Sequence, residues 1–454
     1  MNKIIFFLLP VIGMLASCTH TSSVKTLKPD DLSKWQFTEN VFVSADSFTL
    51  MGKSAQVNSL FSCKNFELEF ECKTDSGAIG GLFFHSDKSM GKGYEVLLNN
   101  NNKEPVEWRK SGSLSAVRNF AKQMASNNIW VPFKIAVIGK QIQVFVNNVL
   151  ITDYTEPEQP YRETAYANRL LSNGFFVFFN YSDAPISFRN IRLCTLPDDK
   201  QSGTEGIDET TDEIIRLQQR NFPTIDYHLH LKGGWTAKQA ADRSRKYGIT
   251  YGIAPNCGKN FPITNDAGII QWLDTMKNFP FLLPMQAEGR EWTKMFSPEA
   301  IAKFDYRFTD AMTWTDDKGR RMRIWIPEET FIDDKQQFME MLVDRACGII
   351  STEPINIYVN PTFIPNKLMP EYDSLWTKKR MQRIIDACVQ NNVAIEINNR
   401  YKIPSPSFIK LAKASGAKFT FGTNNTSSED IGKMEYAIEM IKECNLQPAD
   451  LYIP

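Results

Sequence analysis

His228 and His230 stand two residues apart in Asp226-Tyr227-His228-Leu229-His230. On a β-strand that spacing turns both imidazoles to one face, where together they can hold one metal ion. Glu288, in Gln286-Ala287-Glu288-Gly289, can complete a His-His-carboxylate set that leaves positions open for water and substrate. Other apolar runs also end in polar residues: Asn256, Arg290, Asp310, Asn360, Glu396 with Asn398, and Asn424 with Asn425. One such residue means little, but a polar residue after every run points to a single rim where strands deliver chemistry. Each also has a structural alternative: rim hydrogen bonds for the histidines, an Arg290–Glu291 ion pair, and a Glu396 turned toward surrounding helices. The N-terminal half adds Glu95 and Trp108, a carboxylate and an aromatic ring of the kinds that bind or act on a sugar. His85, after an apolar strand, reads as structural, and Trp35 and Trp130 read as core.

Two kinds of element must position these residues. From about residue 30 to 197 apolar and polar residues alternate in short runs, as in Phe66-Glu67-Leu68-Glu69-Phe70 and Ile142-Gln143-Val144-Phe145-Val146, which predicts an antiparallel sandwich or jelly roll. Residues 198–213 then carry Asp198, Asp199, Glu205, Asp208, Glu209, Asp212 and Glu213 against Lys200, a solvated acidic linker leading into a short helix that ends the segment 198–221. From 222 to 454 strand and helix alternate. Strands are expected at Thr224–Leu229, Tyr251–Ala254, Phe281–Ala287, Tyr306–Phe308, Asn356–Val359, Ala394–Ile397 and Lys418–Phe421. Helices are expected at Ala237–Tyr247, Ala267–Lys277, Lys335–Ile350, Lys378–Asn391, Pro406–Ser415 and Glu429–Glu443. Seven βα units make a closed or nearly closed parallel barrel, with catalysis at the C-terminal ends of its strands.

Composition narrows the function. The 454 residues carry 52 Lys+Arg against 52 Asp+Glu, so no basic surplus exists to displace counterions from nucleic acid. Four His are too few for cages of several transition metals, and no GxGxxG fingerprint marks a nucleotide cofactor. Lys3, the apolar stretch Ile4–Met14 and Leu15-Ala16-Ser17-Cys18 read as a secretion signal. Its ending resembles the bacterial lipoprotein signal, which implies cleavage before Cys18, acylation of its thiol, a tether over residues 19–29, and anchoring in the periplasm or outer membrane by lipid alone. The other Cys are scattered without a CxxC pair, which supports neither a disulfide framework nor a zinc site.

Two family resemblances add expectations. The HxH opening a seven-stranded barrel, Glu288 in its motif and Gly422-Thr423-Asn424-Asn425 after the last strand resemble the polymerase and histidinol phosphatase (PHP) superfamily of metal-dependent phosphoesterases over most of 222–454. The chain departs from that pattern: Asn424 and Asn425 stand where an Asp-Ala-His ending is expected, no His occurs near Met312 or at Asn360, and the second motif is Ala254-Pro255-Asn256-Cys257-Gly258. That argues against three metals and leaves one divalent ion on His228, His230 and Glu288. Over 30–196, Trp35, Gly80-Gly81-Leu82-Phe83-Phe84, Gly93-Tyr94-Glu95-Val96, Trp130 and Phe188-Arg189-Asn190-Ile191 fall in the order of the 3-keto-disaccharide hydrolase domain, a concanavalin-like jelly roll.

Together the resemblances imply an exported enzyme that cleaves 3-keto-glycosides by removing the C2 proton and eliminating the C1 substituent, with hydration giving net hydrolysis. Asp310, Glu396 or Glu95 would serve as base, the metal would stabilise the enolate, and Arg290, Asn256, Asn360, Asn424 and Trp108 would bind sugar. A separate sugar 3-dehydrogenase would supply the ketone. Two alternatives stay open: a PHP-type phosphoesterase with a glycan-binding sandwich, and a non-catalytic glycan-binding lipoprotein.

Overall fold

A computed structural model describes residues 24–101 and 107–454. The predicted signal and Cys18 lie outside the described residues. Alternation in the N-terminal half becomes two antiparallel sheets. In Asn65–Thr74, Phe66, Leu68, Phe70 and Cys72 point into the core while Glu67, Glu69 and Glu71 point out. One sheet runs Val149–Thr155, Gln141–Val146, Val131–Ile138, Asn65–Thr74, Ile186–Leu196, Ser47–Leu50, Val41–Val43. The other runs Trp35–Phe37, Gln56–Ser59, Phe175–Asn180, Gly80–Ser86, Tyr94–Leu98. Between them the rings of Phe48, Phe178 and Phe188 meet edge-on or tilted, with centroids 4.8–5.3 Å apart. Trp35 belongs to this core, but Trp130 does not: it is half-buried, with the Arg189 guanidinium 4.2 Å from its ring centroid. The cysteines Cys63, Cys72, Cys194, Cys257, Cys388 and Cys444 are buried, and Cys347 is half-buried.

His85 has the structural place expected of it. Its Nε2 lies 2.7 Å from Lys64 O and its Nδ1 accepts from Ser172 N at 3.2 Å, which fixes a neutral ring. Burial pushes its pKa down to about 4. Unfolded chains therefore take up a proton between about pH 6.5 and 4 while the native state does not, so stability falls as pH drops through that window. The loss is about 3 kcal/mol at full extent. Urea titrations at pH 7 and pH 4 are expected to show it, and His85→Asn, which tolerates the positive φ of 54°, should flatten that part of the slope. An unchanged slope in the variant would place the acid sensitivity elsewhere.

The acidic linker is not solvated throughout. Glu209 is fully buried against the sandwich, accepting from Arg162 Nη1 at 2.9 Å, Tyr161 N at 2.9 Å and Tyr154 Oη at 3.0 Å. The charge of the run describes its average, whereas a single carboxylate that finds a buried guanidinium and two further donors can leave water. Ile215, in the helix Glu213–Gln219, enters the sandwich core beside it.

The C-terminal half is a curled parallel sheet in the order Thr250–Ile253, Ile225–Leu229, Phe419–Gly422, Ala394–Asn398, Ile357–Tyr358, Arg307–Thr309, Met285–Glu288, Asn256–Gly258. These are eight strands, one more than the sequence suggests, because the second run is split at Ala254-Pro255, where proline offers no N–H. Both halves of that run meet the same neighbour: Leu282 N donates to Tyr251 O at 3.0 Å, Ile253 N to Leu282 O at 3.0 Å, and Asn256 pairs with Gln286. Helices at Ala237–Tyr247, Asp266–Met276, Lys335–Thr352, Lys378–Gln390 and Pro406–Ala414 follow the expected periodicity, while the last one starts later, at Glu435.

The sandwich plugs the N-terminal end of this sheet. Trp108 and Ala121 pack with Ile225, Tyr227, Tyr306 and Ile357, and Trp108 Nε1 donates to Asn221 Oδ1 at 3.0 Å. Ala121 N donates to Thr250 Oγ1 at 3.1 Å, and Lys122 pairs with Asp305 at 2.7 Å. Trp108 is thus 3% exposed and serves as an interface residue, which corrects its assignment to sugar stacking: a large apolar ring gains more from full burial than from an open face. The opposite end, where the strands finish, carries the rim.

Candidate active site

On the sandwich, Tyr94–Leu98 alternates Tyr94, Val96 and Leu98 into the core and sends Glu95 to the outer face of the five-stranded sheet. The neighbouring strand makes room for it. A Cβ on Gly81 would come within 2.5 Å of Glu95 Oε1, so the Gly80-Gly81 pair is the local condition for a carboxylate here. Glu95 Oε1 accepts from Tyr181 Oη at 2.6 Å, and Oε2 accepts from Arg169 Nη2 at 3.1 Å. Arg169 stacks on Tyr166, 5.3 Å from its centroid, and Arg109, gripped by Glu107 at 2.8 Å, is close enough to feel the Glu95 charge. Tyr181 is 40% exposed, so the cluster opens to solvent and can meet a ligand. It holds a proton acceptor, a phenol and two guanidiniums. Sequence reasoning finds Glu95 but misses Arg169, Tyr181 and Arg109; the glycine pair and an aromatic just past the Phe175–Asn180 strand are the signals it had.

On the other half, the predicted rim residues do gather. His228 Nδ1 lies 2.7 Å from Glu396 Oε1, so Glu396 points inward and not to the helices. Gly422 permits this pair, since a Cβ there would overlap Glu396 Oε1 and His228 Cβ. Glu396 Oε2 accepts from Asn360 N at 2.8 Å and Asn398 Nδ2 at 2.9 Å. Asn360 Oδ1 in turn accepts from Asn398 Nδ2 at 3.0 Å and Asn424 Nδ2 at 3.2 Å, and its amide donates to Asp310 Oδ2 at 3.0 Å. Asn360 and Asn424 hold φ of 51° and 47°, a backbone Asn accepts more readily than most residues. Arg290 is committed to Glu353 at 2.8 Å and Thr309 Oγ1 at 2.8 Å, while Glu291 pairs with Arg321; the expected Arg290–Glu291 side-chain pair is absent. Asp226 lies behind the rim, accepting from Thr423 N at 2.9 Å and from the Thr423 hydroxyl, with burial pushing its pKa up to about 6.

The expected metal set can now be tested against its donors. His230 directs Nδ1 to Ala254 O at 2.9 Å, and burial holds its pKa well below the usual value, so both histidines have anchored Nδ1 atoms. Glu288, however, accepts from Asn256 Nδ2 at 2.7 Å and Gln286 Nε2 at 2.9 Å, and burial together with Asp310 pushes its pKa up to about 8. Both amide N–H groups fall on Glu288 Oε1, so the lone pairs of that oxygen are engaged. Among the described residues no three His, Cys, Asp or Glu side chains group as metal ligands. The donor set fits neither the three-metal site implied by the PHP resemblance nor one ion on His228, His230 and Glu288.

Residues 28–194, which include Glu95, match the family model of the 3-keto-alpha-glucoside-1,2-lyase-like domain. No curated protein matches the chain. Among solved structures, a candidate glycosyl hydrolase from Parabacteroides distasonis ATCC 8503 is 17% identical, with TM-score 0.34 over 37% of this chain and 90% of that one. A carbohydrate-binding module from Bacillus subtilis is also 17% identical, with TM-score 0.28 over 36% and 96%. Histidinol phosphate phosphatase from Lactococcus lactis subsp. lactis is 14% identical, with TM-score 0.38 over 50% and 95%.

Proposed function

We propose that this protein is an exported, lipid-anchored enzyme that cleaves 3-keto-glycosides, and that Glu95 in the sandwich is the base. The observation that carries this reading is the Tyr181–Glu95–Arg169 cluster within the segment matched to a 3-keto-glucoside lyase-like domain. A ketone at C3 acidifies the C2 hydrogen. Glu95 takes that proton as the C2–H pair forms an enolate whose oxygen Arg169 can meet as a cation. Collapse of the enolate restores the C3 carbonyl, forms C1=C2 and breaks the C1–O bond. The departing oxygen takes a proton from Tyr181, and protonated Glu95 replaces it across their hydrogen bond. The net change moves one proton from C2 to the leaving oxygen and consumes no other reactant. Asp310 and Glu396, the other base candidates, each accept a hydrogen bond from Asn360.

The chain itself supplies no oxidant in this scheme, so a separate sugar 3-dehydrogenase provides the ketone. The decisive experiment compares a chromogenic 3-keto-glucoside, the same compound deuterated at C2, and the unoxidised parent. Release of chromophore from the ketone alone, slowed by deuterium, is expected. Equal turnover of the parent would overturn the reading, because elimination requires the carbonyl.

A further inference from the structure

The rim holds polar atoms that its own network leaves without partners, and their types specify a ligand. His228 is 1% exposed; with Nδ1–H given to the Glu396 carboxylate, its Nε2 is a pure acceptor, buried and unpartnered. Gln286 Oε1, on the adjoining part of the rim, faces His230, and Arg290 Nε is a buried donor without an acceptor. Leaving such atoms unsatisfied in the interior costs free energy, so a rim that keeps them is built to be completed. A buried acceptor demands a ligand that brings a hydrogen. Phosphate at neutral pH carries a hydroxyl but also a net negative charge, which would meet the Glu396 carboxylate. A cation would meet the Arg290 guanidinium and the amide donors of Asn256 and Gln286. A compound with several hydroxyls and a carbonyl or ether oxygen fits: an O–H group donates to His228 Nε2 and an oxygen accepts from Arg290.

We infer that the barrel rim is a second binding site, separate from the Glu95 cluster and metal-free, for a neutral monosaccharide or a ketone derived from one. Within it, Glu396 is a positioning residue that fixes the His228 tautomer, and the asparagines at 360, 398 and 424 hold Glu396 in place. This site does not depend on where cleavage occurs, and its test is arranged to keep the two questions apart.

With only four histidines in the chain, ring-nitrogen NMR on the full-length protein labelled in histidine can read the site directly. The protein carries Glu95→Gln, so that turnover does not interfere, and binding at the rim is read at His228 itself; His228→Gln and His85→Asn assign the signals. Glucose, 3-keto-glucose, inorganic phosphate and zinc chloride are added separately. A saturable shift of the His228 Nε2 signal by either neutral sugar, with a Kd of about 1 mM or tighter and no movement of His85, is the expected result. Glu396→Gln should broaden or move the His228 signal before any sugar is added and weaken the response about tenfold. Three outcomes would each overturn the inference: no response to the neutral sugars, a response to phosphate alone, or a sugar response that appears only with zinc. Failure of 3-keto-glucoside cleavage in the wild type leaves this measurement unaffected, which keeps the two claims distinguishable.

Discussion

Glu95→Gln is expected to lower kcat for a 3-keto-glucoside by about a thousandfold while changing KM little. Glutamine preserves the shape of the side chain and can still accept from Tyr181, while its NH2 gives up the bond that Oε2 accepts from Arg169. What disappears is the ability to take a proton from carbon. Tyr181→Phe separates the second role. It should slow release of a poor leaving group such as a sugar alkoxide by about ten- to a hundredfold, yet barely affect a nitrophenolate that departs without a proton. Steady-state kinetics on the two substrate types, checked against an unchanged thermal transition, measures both effects. Full activity in Glu95→Gln would remove this carboxylate from the chemistry and return attention to the barrel.

The largest effect on stability is expected at the other buried carboxylate of the sandwich. Arg162 and Glu209 are 4% and 0% exposed, so removing either one strands the opposite charge where water does not reach it. Arg162→Ala or Glu209→Ala should cost about 3–5 kcal/mol, whereas replacing both together should cost less than the sum, because no unpaired charge remains. Arg162 also holds the hydroxyls of Tyr94 and Tyr154, at 2.7 and 2.9 Å, and this adds to its cost relative to Glu209. Urea unfolding of the two single variants and the double variant gives the coupling directly; additive losses would mean that the pair is already open to solvent.

Much of this architecture was legible because it is written locally. Period-two runs announce the sandwich, and the strand–helix rhythm after residue 222 announces the parallel sheet. Polar residues just past apolar runs mark the rim, and the structure does bring His228, Glu396, Asn360, Asp310 and Asn424 into one hydrogen-bonded set. What could not be read is who pairs with whom. His228 and Glu396 are 168 residues apart, Arg169 and Glu95 74 apart, and the residues between carry no trace of the pairing. For the same reason Glu288 reads as a metal ligand from its residue type, while the amides of Asn256 and Gln286 on its Oε1 are visible only in the fold. Trp108 misled in a different way. An isolated tryptophan near a carboxylate suits a sugar platform, but burial at a domain interface competes for the same ring, and that competition is decided by residues far along the chain.

The way the linker returns to the sandwich separates ancestry from foldability. The family match ends at residue 194, yet Glu209 and Ile215 complete the sandwich interior, and Leu217 of the same helix belongs to the core of the following domain. Trp108, next to Arg109 of the Glu95 cluster, is meanwhile embedded in the base of the barrel. A gene segment cut at the family boundary would therefore encode a domain with an open flank and an Arg109 whose neighbour has lost its socket. The inherited module and the physical module overlap without coinciding, and a recombination event that exchanged the barrel would have to carry residues 195–221 with care, since they serve both partners at once.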